Sequence, residues 1–114
     1  MPRFLILPLE TREMFAKYGR AEMAAIVKRY SLWTRGLVQR RCLEDGDRIV
    51  DGRFLKMSGG KLTKRAAGKK ELTPGGFWLI RAKNMNAAIA LCADCPHHEF
   101  GALQVLQIEG NRKA

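Results

Sequence analysis

No run in this 114-residue sequence approaches the roughly 18 to 20 apolar residues that a membrane span requires. Cysteine occurs three times, an odd number that closes no complete disulfide framework and favours a reducing compartment. The opening Met1 to Leu9 is too short and too interrupted by proline to read as a secretory signal, so a cytoplasmic location is the expectation. Acidic residues are absent from the whole of Gly52 to Lys70, and aromatic residues make up only 8% of the chain. What is present is 46% hydrophobic and 28% charged, the composition of a folded globule rather than a disordered tail. At this length about two thirds of the unfolded surface can be buried, enough for one core. Twenty-one Lys and Arg against eleven Asp and Glu leave a formal charge of +10, which makes polyanions natural partners to consider.

Arg3 to Leu9 reads as a strand with Phe4 and Ile6 on one side and Leu5, Leu7 and Leu9 on the other. A strand apolar on both faces needs two covers. From Glu22 to Arg41 the residues Met23, Ile26, Val27, Tyr30, Trp33, Leu37 and Val38 follow the spacing of an amphipathic helix. Gly36 predicts a bend or early end there, and Gly19 a break after a short turn over 11–18. Glu44 to Asp47 reads as a turn. Arg53 to Ser58 and Lys61 to Arg65, on either side of Gly59-Gly60, read as a hairpin. After the breaker Thr73-Pro74-Gly75-Gly76, Phe77 to Ala82 is a strand. Asn84 is the expected N-cap of a helix reaching about Asp94, with Met85, Ala88, Ile89 and Cys92 on its buried stripe and Pro96 as its stop. His97 and His98 then fall in a loop, Ala102 to Glu109 forms a last strand, and residues 111–114 form a basic tail outside a single domain over 1–110.

Two strand-helix-strand halves predict an α+β fold: a ferredoxin-like split βαβ sheet with both helices on one face. The other face stays apolar with no third layer to cover it, and large exposed patches mark partner surfaces. The expected partner is a second copy, the two sheets packing face to face in a homodimer.

Gly75-Gly76-Phe77-Trp78-Leu79-Ile80, Asn84-Met85-Asn86-Ala87-Ala88-Ile89 and Cys95-Pro96 together resemble the YCII-related proteins, and in particular their DGPF-containing branch. Gly52 to Lys61 is similar to the hairpin of that family, and Lys70-Glu71-Leu72 to the segment before its glycine-led strand. The resemblance covers nearly the whole chain and implies a dimeric α+β barrel. It implies little chemistry: members are bacterial, some are associated with alternative sigma-factor systems, and a hydrolase-type activity through a His and Asp pair is attributed to a few. The chain departs from the pattern where relatives carry Asp-Gly-Pro-Phe-Ala-Glu; it has Thr63-Lys64-Arg65-Ala66-Ala67-Gly68-Lys69 instead, a cationic loop for an acidic one. No His lies in or before the first helix, so no catalytic residue carries over from the family.

Cys92-Ala93-Asp94-Cys95-Pro96-His97-His98 contains ligand types suited to zinc. A second ligand pair is missing, and the helical position of Cys92 favours a small core side chain, so no metal or other cofactor is assigned. Tyr30, Trp33 and Trp78 are candidates to line a pocket between helices and sheet, with His97 and His98 as further candidate ligand-binding residues. Lys61, Lys64, Arg65, Lys69 and Lys70 are candidate polyanion contacts, although Phe54 is the one aromatic residue in that tract able to stack on a base. The functional expectation is a homodimeric domain binding a small, anionic metabolite without assignable catalysis. The alternative is a basic accessory protein that binds nucleic acid or an acidic protein through residues 53–70.

Overall fold

The computed structural model describes residues 1–109; the expected tail at 111–114 lies outside them. Four antiparallel strands form the main sheet. They are β1 (Arg3–Glu10), β2 (Leu43–Arg48), β6 (Gly76–Arg81) and β7 (Leu103–Ile108), in the order β2-β6-β1-β7. A two-residue strand β5 (Thr73–Pro74) extends the β6 side of β1, pairing with Leu9 and Glu10. Helices α1 (Arg20–Gln39) and α2 (Met85–Leu91) both cover one face. This is the ferredoxin-like α+β arrangement anticipated from the pattern of elements. Among the described residues no helix is long and apolar enough to cross a membrane.

The pleat of β1 sorts its residues as the alternation predicts. Phe4 and Ile6 are fully buried under the helices, level with Ile80 and Trp78 on β6. Leu37 of α1 and Ala88 and Cys92 beside α2 complete the same core. The opposite face carries Leu5, Leu7 and Leu9 on β1, Phe77 and Leu79 on β6, and Leu106 and Ile108 on β7, all partly exposed. Cross-strand partners share a face, so Leu79, Leu5 and Leu106 stand in one row across three strands.

Several local expectations need correction. Residues 44–47 are not a turn but the middle of the edge strand β2, paired with β6 through a register shift between Leu43 and Asp45. Asp45 and Asp47 still make the local side-chain bonds that suggested a turn, accepting from the amides of Gly46 and Arg48 at 2.8 Å, and the bulge lets strand pairing coexist with them. Thr73-Pro74, read as part of a breaker, is the two-residue strand β5, and the break itself is the bend at Gly75 before β6. Helix α1 runs through Gly36 to Gln39, because packing of its apolar stripe outweighs one glycine's propensity cost. Gly19 is its N-cap, with Glu22 accepting from the Gly19 amide at 3.1 Å. Helix α2 is shorter than expected, ending at Leu91 well before Pro96, and Ile89 is exposed rather than on the buried stripe. Its Asn84 cap is as expected, the side chain accepting from Ala87 N at 2.8 Å. Pro96 opens a 3-10 helix, Pro96–Glu99, so His97 and His98 are not in an irregular loop.

Strands β3 (Phe54–Ser58) and β4 (Lys61–Arg65) form the expected hairpin, with Gly59 and Gly60 at φ 55° and 79° in its turn. Both positions need the left-handed conformation that glycine adopts without penalty, the geometry of the favoured two-residue hairpin turn. Among the described residues the hairpin pairs with no strand of the main sheet. It stretches the molecule to a radius of gyration of 16.2 Å, against about 13 Å for a compact domain of this length.

Candidate functional site

A cavity of about 390 Å³ opens between α1 and the β2-β6-β1 side of the sheet. Met23, Ile26 and Val27 of α1 form one wall, Trp78 of β6 another, and Phe15 an end. Aromatic and aliphatic carbon dominates this surface. Its polar lining residues are few: Glu10 at the end of β1, Tyr30, Ser31 and Thr34 on α1, and Asp47 and Arg48 at the end of β2. A mostly apolar lining with a few polar groups is the usual form of a small-molecule site.

Glu10 reaches this place because its strand position gives it the helix-facing side, two residues beyond Pro8. Gly75 makes the room. A Cβ on Gly75 would stand 2.1 to 2.3 Å from the carboxyl atoms of Glu10, so any other residue would push that group away. Burial raises the Glu10 pKa from the ordinary carboxylate range, and Arg48 partly offsets this.

Tyr30 is held from behind. Its hydroxyl lies 2.7 Å from His97 Nδ1, and His97 Nε2 lies 2.9 Å from the Leu9 carbonyl. A carbonyl only accepts, so Nε2 carries the proton and donates to Leu9 O; Nδ1 therefore accepts from the Tyr30 hydroxyl. His97 is fully buried, and desolvation lowers its pKa, keeping the ring neutral. Burial likewise raises the Tyr30 pKa, with smaller contributions from Cys95 and Glu10. With its proton committed to His97, the Tyr30 oxygen can accept a hydrogen bond from a guest in the cavity. Thr34 fixes the neighbouring indole: its hydroxyl donates to Tyr30 O and accepts from Trp78 Nε1, both at 2.9 Å.

Of the residues singled out from the sequence as ligand contacts, Tyr30 and Trp78 line the cavity. Trp33 does not. It packs edge-on against Trp78 and donates from Nε1 to Asp94 at 3.0 Å. His97 acts one layer behind, and His98 turns away, its Nε2 donating to the Cys92 carbonyl at 2.8 Å. Cys92 and Cys95 are buried free thiols, each pushed up to about 11, chiefly by desolvation. Among the described residues no three His, Cys, Asp or Glu side chains come together in a way that would hold a metal ion.

Lys61, Lys64 and Arg65 sit on β4 of the projecting hairpin, away from the cavity. Arg65 makes a two-point ion pair with Glu71 at 2.8 and 3.1 Å and lies over the Phe54 ring. That pairing pulls the Glu71 pKa down to about 2. Lys69 is 3.7 Å from Glu13, and Lys70 is exposed in the returning turn. Glu10, Arg48 and Gly75 were not legible as site residues. The one available signal was an acidic residue ending an otherwise apolar strand.

Fold and cavity together define an α+β domain with a helix-covered cleft suited to a small guest. No family model matches the chain, and no curated protein matches it. Among solved structures it is similar to 5-chloro-2-hydroxyhydroquinone dehydrochlorinase (TftG) from Burkholderia phenoliruptrix AC1100, in complex with 2,5-dihydroxybenzoquinone. The identity is 13% and the TM-score 0.49, over 97% of this chain and 96% of that one. At that level of similarity nothing about ligand or reaction passes from that enzyme to this chain.

Proposed function

We propose that this chain is a homodimeric, YCII-related small-molecule-binding domain. Its guest is a compact molecule with an apolar body and one acidic head, bound between α1 and the sheet. The observation that carries the reading is the cavity itself, mostly apolar in its lining, with Glu10, Tyr30 and Arg48 among its few polar residues. Arg48 supplies the cation for an acidic head, and the Glu10 carboxyl, whose pKa burial raises, stands near it. An anionic guest is thus served by Arg48 rather than by the lysines of the hairpin. The uncovered row of Leu5, Leu79 and Leu106 supports the dimer, since a monomer would leave that surface to water.

The test is a thermal-shift panel of small aromatic and aliphatic acids and phenols, repeated on Val27→Trp. Val27 lines the cavity yet is exposed, so the larger side chain fills the site without disturbing the core. A guest present at 100 times its dissociation constant adds about 2.7 kcal/mol to stability. The expected result is a stabilised wild type and an unresponsive variant. A panel with no stabilising compound, or a shift that survives Val27→Trp, overturns the reading.

The hairpin alternative, binding of nucleic acid or an acidic protein, has less in its favour. Two of its five named cations, Arg65 and Lys69, already meet carboxylates of the same chain.

A further inference from the structure

The hairpin presents two unlike faces. Register places Phe54, Arg65, Lys56, Thr63, Ser58 and Lys61 on one side. The other carries Leu55, Met57 and Leu62, with Lys64 beside Leu55. Those three apolar side chains are 64%, 65% and 63% exposed. A two-stranded hairpin is marginally stable alone in water, and this one shows water a contiguous apolar face it has every reason to bury. Its polar face, by contrast, is furnished for solvent: Arg65 covers the Phe54 ring at 4.3 Å, and the Thr63 hydroxyl donates to Lys56 O at 3.0 Å.

The complementary surface is on the same molecule. The uncovered side of the main sheet is apolar through Leu5, Leu79 and Leu106, and Asp45 and Asp47 stand on that side along the β2 edge, paired with Leu79 and Phe77. The apolar face of the hairpin carries one cation, Lys64, beside Leu55; the apolar sheet face is flanked by the carboxylates of Asp45 and Asp47. Five residues per strand give an arm about 17 Å long, joined to β2 by the five residues 49–53.

We propose that the hairpin is an exchanged arm: its Leu55–Met57–Leu62 face packs on the uncovered sheet of a second copy, with Lys64 set against the Asp45–Asp47 edge. The inference rests on the homodimer reading above and goes further by assigning the arm a place in it. The charge pattern selects a second copy as occupant, because the cationic arm and the acidic edge belong to one chain and satisfy each other twice in a two-fold pair. The same pattern disfavours a polyanion on this face, where Lys64 is a lone cation beside apolar carbon.

Sedimentation equilibrium of the full chain tests the arm. The variant Leu55→Glu/Met57→Glu/Leu62→Glu alters exposed positions only, and should dimerise at least tenfold more weakly while keeping the thermal shift given by the stabilising compound of the acid and phenol panel. Lys64→Glu and Asp45→Lys, each weakening the dimer alone, should restore it in combination. Carbodiimide cross-linking of mixed 14N and 15N chains should join Lys64 to Asp45 or Asp47 between isotopes. A dimer that ignores these substitutions, with cross-links only within one chain, overturns the arm and leaves the homodimer standing. A wild type that stays monomeric at tens of micromolar overturns both. If instead the lysine variant loses DNA or RNA binding while the dimer is unchanged, the hairpin serves a polyanion and the exchange is rejected.

Discussion

Burial shifts both His97 and Glu10, and their effects on stability run in opposite directions. The His97 pKa is lowered in the folded state, so the unfolded chain binds the proton more readily. Its contribution is complete above the ordinary imidazole value of about 6.5 and is lost as the pH falls toward the depressed value. Protonating Nδ1 also removes the acceptor of the Tyr30 hydroxyl. Glu10 is raised, so the folded chain holds that proton more tightly, and its contribution is present at low pH and lost as the pH rises through the raised value. Melting of wild type and His97→Gln between pH 7 and 5 separates them. We expect the variant to be less stable at pH 7 by about 1–3 kcal/mol, the cost of a buried hydrogen-bonding group left imperfectly paired, and to decline less on acidification.

Gly75 offers a second test at the same scale. The atoms its substitution would meet belong to the flexible end of Glu10, so Gly75→Ala should cost less than about 1 kcal/mol. The displaced carboxyl should then titrate closer to the ordinary carboxylate range, as read by NMR of Glu10. The contrast is Gly76, whose added Cβ would meet the Asp47 carbonyl at 2.8 Å, a backbone atom that cannot swing aside.

Among the elements, alternation in β1 and the Gly59-Gly60 hairpin were readable because each rests on local rules: pleat period and positive φ. The Asn84 cap was readable for the same reason. Strand β2 was not, since Glu44-Asp45-Gly46-Asp47 has the composition of a turn and becomes a strand only through pairing with β6, a distant partner. The cavity fell between these cases. Tyr30 and Trp78 announced themselves as aromatic residues, but Glu10 gained its role from Gly75, which lies 65 positions away and is brought near by the β1-β5 pairing. Helix α1 supplies a prediction of its own. Nothing lies within 4 Å of a Cβ built on Gly36, so Gly36→Ala should stabilise the chain by up to about 1 kcal/mol, measured as a higher urea midpoint with an unchanged slope.

Over the whole molecule the charge is strongly segregated. Seven cations and no acid lie between Gly52 and Lys70, so the +10 excess is mostly the property of one limb, and the cleft-bearing body is close to neutral. A basic isoelectric point therefore says little about the surface around the cavity. The buried imidazole has a different reach. By bonding Leu9 at the end of the first strand and Tyr30 in the middle of the long helix, His97 ties together three stretches of chain that are far apart in sequence. Local loss of the 3-10 turn would therefore free the Leu9 carbonyl and the Tyr30 phenol at once, while the Leu9 amide stays bonded to Ala102 O, so a fluctuation near the C-terminal third of the chain reaches the wall of the cleft in one step.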